Sequence, residues 1–108
     1  MTNETLETIK NRRSCRAYKP EQITNEELDA VLEAGTYAAS AMGRQSAKIV
    51  VVQDAAARAQ LTRMNAAVMG KDTDPMYGAP TILVVLADAH AANAVPDGSL
   101  VMGNLMLA

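Results

Sequence analysis

The sequence predicts an α/β domain (α+β in stricter usage), with helices packed around a small central sheet. Three observations predict it. Thr24-Asn25-Glu26-Glu27 has the form of a capping box ahead of an apolar stripe at helical spacing. Ile49-Val50-Val51-Val52 and Thr81–Ala87 are short, apolar, β-branched runs of strand length. Between them lies an Ala-rich stretch with helical period, so strand, helix and strand follow in order. All 108 residues are read as a single domain.

Taken in order, residues 3–13 form a first helix with Leu6, Ile9 and Arg13 on one side. Asn3 is its N-cap, and Glu4 and Glu7 stand where acids favour a helix start. From Ser14 to Pro20 the helical period is lost, and Pro20 biases Lys19 towards extended backbone. The second helix starts from Thr24 and runs to about Ala38, with Leu28, Val31, Leu32 and Gly35 inward and Asp29 and Glu33 in water. Residues 39–46 form a small-residue loop. Ile49–Val52 is expected to be buried on both faces. Asp54 caps a third helix over 55–69, with Leu61, Met64 and Val68 inward and Arg58 and Arg63 on its other side. A loop over 70–80 and a buried strand over 81–87 follow. Asp97-Gly98-Ser99 opens a last helix whose apolar surround predicts burial within protein. That helix reaches Ala108 without a capping glycine or a basic last turn, so the sequence is expected to be a fragment of something longer.

Composition narrows the function. Nearly half of the residues are apolar, which excludes a disordered chain, but there is no Phe and no Trp. Aromatic residues bring the largest buried area each, so the core is expected to be thin and helped by a partner chain or ligand. One Cys excludes an internal disulfide, and one Cys with one His, His90, argues against a zinc site. No run is long and apolar enough to span a bilayer, and there is no leader-like h-region, so no membrane partner is expected and a cytoplasmic setting is the default.

Charge is uneven. Residues 1–20 carry five Lys or Arg against two acids, and the rest carry five against ten. Within the basic end lies Arg12-Arg13-Ser14-Cys15-Arg16-Ala17-Tyr18, uninterrupted by any acid. Guanidinium forks pair with phosphate in bidentate fashion and a Ser hydroxyl adds a further donor, so the stretch suits an anion. A solvated charged turn and a nucleic-acid contact are the other readings of such a run. The acidic remainder and the absence of interleaved aromatics speak against nucleic acid. GxGxxG and GxxxxGK[ST] are both absent, and no Ser–His or paired-carboxylate constellation stands out.

Ile9-Lys10-Asn11-Arg12-Arg13-Ser14-Cys15-Arg16-Ala17-Tyr18 resembles the N-terminal flavin-binding signature of the nitroreductase family, whose members are FMN-dependent homodimers. The likeness continues in order. Ala39-Ser40-Ala41-Met42-Gly43-Arg44-Gln45-Ser46 is similar to the second flavin loop. Met64-Asn65, Tyr77-Gly78-Ala79-Pro80 and Asp97-Gly98-Ser99 then match a third-helix position, the approach to the next strand and the start of the dimer-core helix.

That resemblance implies a nitroreductase-like fold with its C-terminal third absent, and FMN as cofactor. It gives Arg12, Arg13 and Ser14 to the phosphate and ribityl chain, and Arg16 and Asn65 to the edge of the isoalloxazine ring. Ser40 and Gln45 would come from the partner subunit of a homodimer. The implied reaction is ping-pong hydride transfer from NAD(P)H to a nitroaromatic, quinone or similar small-molecule acceptor, with no catalytic acid or base assigned. Two departures stand out. Gly43 replaces an asparagine common in the family, and Ser46-Ala47 replace a Pro-aromatic pair. The missing segment makes weak or absent FMN binding the expectation for these residues alone. A non-catalytic dimerising scaffold and a small anion-binding protein remain the alternatives.

Overall fold

The computed structural model describes residues 1–108. Their element order is α1 (Glu4–Asn11), α2 (Asn25–Thr36), a 3₁₀ turn (Ala41–Gly43), β1 (Lys48–Val52), α3 (Ala55–Met69), β2 (Ile82–Leu86) and α4 (Ala94–Leu107). The strands β1 and β2 pair in a two-stranded sheet. The chain divides into two compact units. One holds Met1–Ser14, Asn25–Ile49 and Val85–Ala108, and the other holds Cys15–Thr24 and Val50–Val84.

In the first unit, α1 begins as its sequence dictates, with Asn3 Oδ1 accepting from Leu6 N at 2.9 Å. It stops two residues earlier than expected, because Arg12 turns to φ −54°, ψ 133°. Arg13 Nη1 then donates to the Lys10 and Arg12 carbonyls at 2.7 and 2.9 Å, satisfying acceptors that a helix end leaves open. Helix α2 packs on α4. Gly35 is buried at their seam, and a Cβ built on it would lie 2.7 Å from Ile49 Cδ1 and 2.8 Å from Leu105 Cδ2. The glycine lets side chains close over the backbone of α2. Asn104 Nδ2 adds a cross-helix bond to the Ala34 carbonyl at 2.9 Å.

Helix α4 starts at Ala94, three residues before the expected Asp97. Pro96 does not prevent this, since N–H groups of a first turn have no intrahelical acceptor to lose. The helix closes when Asp97 N donates to the Asn93 carbonyl at 3.0 Å. It is not surrounded by protein as expected: Leu100, Met102 and Met106 remain exposed, because α2 covers one side only.

In the second unit, Asp54 caps α3 by accepting from Ala57 N at 2.9 Å, as its place before the Ala-rich run predicts. Gly70 ends the helix at φ 64°, the left-handed geometry that favours glycine at this position. The inward face of α3 is rotated from expectation. Met64 is 56% and Val68 90% exposed, while Ala57, Arg58, Leu61, Thr62 and Ala66 are half-buried. Arg58 faces inward because its fork has acceptors there. Nε donates to the Gln53 carbonyl at 3.1 Å and Nη1 to the Ala79 carbonyl at 3.2 Å, so one side chain ties the two ends of the connection from β1 to β2. Gln22 Nε2 donates to the Pro80 carbonyl at 2.8 Å, fixing the irregular Cys15–Thr24 segment to the start of β2. Strand β1 is not buried on both faces: Lys48 and Val50, on the same face, are exposed, so that face of the sheet is left uncovered. Ile82, 9% exposed, is the most buried hydrophobic side chain, so the thin core inferred from composition is present.

Candidate functional site

Arg12, Arg13 and Ser14 follow α1 outside any helix or strand and are exposed, and Arg16 is likewise exposed in the next segment. No carboxylate pairs with any of the three guanidinium groups; the one close ion pair at this end is Lys10–Glu7 at 3.8 Å. Arg12 lines an open groove with Glu4, Glu7, Thr8 and Asn11 of α1 and Met106 and Leu107 of α4. Arg13 differs, because its Nη1 is engaged at the helix end, leaving its other N–H groups for a ligand. Asn65 sits on the exposed side of α3. Its Nδ2 donates back to the Leu61 carbonyl at 2.9 Å, leaving its side-chain oxygen as the acceptor it presents.

Ser40 and Gln45 are brought together. Gln45 N donates to Ser40 Oγ at 3.0 Å, and Gln45 Nε2 donates to the Thr36 carbonyl at 3.2 Å. This bonding leaves the Ser40 O–H as a donor and the Gln45 Oε1 as an acceptor. The loop between them is strained. Met42 and Gln45 have φ of 54° and 49°, conformations that cost a residue with a Cβ on the order of 1–2 kcal/mol each. Such a loop keeps its shape only when other contacts determine it.

Those contacts include one residue whose role sequence reasoning missed. Asp97 was expected at the mouth of the last helix; instead it is 6% exposed within its first turn, and its Oδ1 accepts from Ala41 N at 3.0 Å. Asp97, Ser40, Gln45 and Thr36 line one cleft of about 340 Å³, whose apolar walls include Leu32, Ile49 and Val101. A buried carboxylate is tolerated where it accepts hydrogen bonds and lies near the positive end of a helix, and Asp97 meets both conditions. Nothing local in the sequence announces a bond across 56 residues.

A family model for the nitroreductase family matches residues 9–108. The chain belongs to the nitroreductase family. Among solved structures it is similar to a Bacteroides fragilis nitroreductase with bound FMN, at 33% identity and a TM-score of 0.85, over 98% of this chain and 64% of that one. A Desulfitobacterium hafniense nitroreductase with bound FMN matches at 29% identity and 0.86, over 99% and 64%. A Bacteroides thetaiotaomicron protein named as a candidate NADH dehydrogenase/NAD(P)H nitroreductase matches at 29% and 0.82, over 99% and 61%. The chain thus spans under two thirds of the length of these relatives, and its helices and small sheet have the nitroreductase fold. No curated protein matches the sequence. No helix is long and apolar enough to cross a membrane.

Proposed function

We propose that this nitroreductase-family chain contributes an FMN site to an NAD(P)H-dependent oxidoreductase. The observation that carries the reading is the arginine stretch: three exposed guanidinium groups without acidic partners, within a chain whose family relatives hold FMN. The donor set fits a phosphomonoester. Arg12, with the free N–H groups of Arg13 and the Ser14 hydroxyl, supplies charge-assisted hydrogen bonds of the strong kind. Arg16 and Asn65 have complementary parts at the ring edge, a cation for developing negative charge and an acceptor for a ring N–H.

FMN, when bound, supplies hydride transfer between NAD(P)H and an acceptor such as a nitroaromatic or quinone. The protein's part is to hold and orient, so no side chain is assigned as acid or base. Ser40 and Gln45 would serve the flavin of a second copy, making the functional species a homodimer. The exposed apolar residues of α4 are in keeping with a covered face in that species.

Titration is the test. FMN fluorescence should be quenched saturably, with a midpoint below about 1 mM, and binding should weaken as salt rises, since exposed cations are screened. The absence of saturable quenching in that range would sink the proposal.

A further inference from the structure

We infer that Asp97 is a positioning residue that holds the first amide of the Ala41–Gly43 turn from outside it and thereby keeps Ser40 and Gln45 in place. For the flavin part of its consequence, the inference rests on the function proposed above.

The turn starts without a cap of its own. Ser40 stands at the N-cap position with extended backbone, φ −140° and ψ 154°, yet its side chain makes no bond to the turn that follows. A serine there usually accepts an N–H of the first turn. The amide of Ala41, the first residue of the turn and one that an N-cap side chain does not ordinarily reach, goes to Asp97 Oδ1. The Ser40 oxygen, making no cap bond, accepts from Gln45 N and closes the loop. Two left-handed residues without glycine's freedom, Met42 and Gln45, sit inside that closure. The carboxylate is itself fixed, because Asp97 lies inside α4 with its own N–H bonded to Asn93. Helix α4 thus dictates the conformation of a loop far away in sequence through one buried acceptor.

Three variants of the full chain test this. Asp97→Ala removes the acceptor, and Asp97→Asn keeps an oxygen at the same place. Ala41→Pro removes the donor from the other end. Proline is compatible there, since Ala41 is helical, opens its turn and follows an extended residue. In flavin-free protein, Asp97→Ala should speed exchange of the Ala41 and Gln45 amide hydrogens by about tenfold or more, in line with loss of a bond to a charged group. Ala41→Pro should do the same at Gln45, and it carries the test if Asp97→Ala fails to fold. Asp97→Asn should stay close to the parent. FMN affinity should follow the same order, about tenfold weaker in Asp97→Ala and restored in Asp97→Asn.

Unchanged Gln45 exchange in Asp97→Ala or Ala41→Pro overturns the inference. So does an Asp97→Asn protein as loose as Asp97→Ala, because charge rather than the bond would then be acting. Failure of the parent chain to bind FMN overturns the flavin reading instead, and the exchange comparison still decides the role of Asp97.

Discussion

The arginine stretch and the Ser40–Gln45 loop share a proposed ligand, yet they are built in opposite ways. Arg12 and Arg16 are exposed, lie outside helix and strand without positive φ, and make no hydrogen bond or ion pair through their side chains. Ser40 and Gln45 are bonded to each other, to Thr36 and, through Ala41, to Asp97, on a backbone with two strained residues. The first segment stores its binding potential as unneutralised charge. The second stores it as shape. Mutations should therefore separate affinity from stability differently in the two places.

The largest expected effect is at the arginines. Arg12→Ala or Arg16→Ala should weaken FMN binding by about 1.5–3 kcal/mol, the range for a bond to a charged group, while leaving the melting temperature alone. A fall in melting temperature with affinity intact would show that these side chains serve the fold. Ser40→Ala comes next. It leaves Gln45 N without its acceptor and should lower stability in urea by about 1 kcal/mol; an unchanged urea midpoint would mean that the loop does not depend on its internal bond. Smallest is Met42→Gly. Glycine relieves the left-handed strain but loses more chain entropy on folding, so the net gain should be under about 1 kcal/mol. A loss of stability there would count against a strained loop and blur the contrast.

What was legible in the sequence was local or chemical. Asn3 and Asp54 cap their helices because a cap and its target lie three residues apart. The ordered flavin motifs pointed to the family through residue identity alone, and the fold followed. Conformation carried by unremarkable residues stayed hidden. Met42, Gln45 and Tyr77 have positive φ although none is glycine or asparagine. Burial was also poorly legible: Ile49–Val52 announces a strand but not how many neighbours it has, and an Ala-rich helix such as α3 leaves its inward face weakly marked. Arg58 illustrates the last point, since its sequence position suggested solvent while two backbone carbonyls draw it inward. Of the candidate site, the identities of the contact residues could be named, but the Asp97 bond that shapes one segment could not.

Cys15 stands in the middle of the arginine stretch, exposed, and it is the one thiol in the chain. Its Sγ lies 3.1 Å from the Ala17 carbonyl, and its own carbonyl accepts from the Tyr18 hydroxyl at 3.0 Å, so the thiol bonds to no other side chain. A maleimide fluorophore would therefore attach at a single, known place without any cysteine having to be engineered in or out. The label would sit between Arg13 and Arg16, where arrival of an anion would change its surroundings. The protein thus carries a built-in reporter position in its most cationic segment.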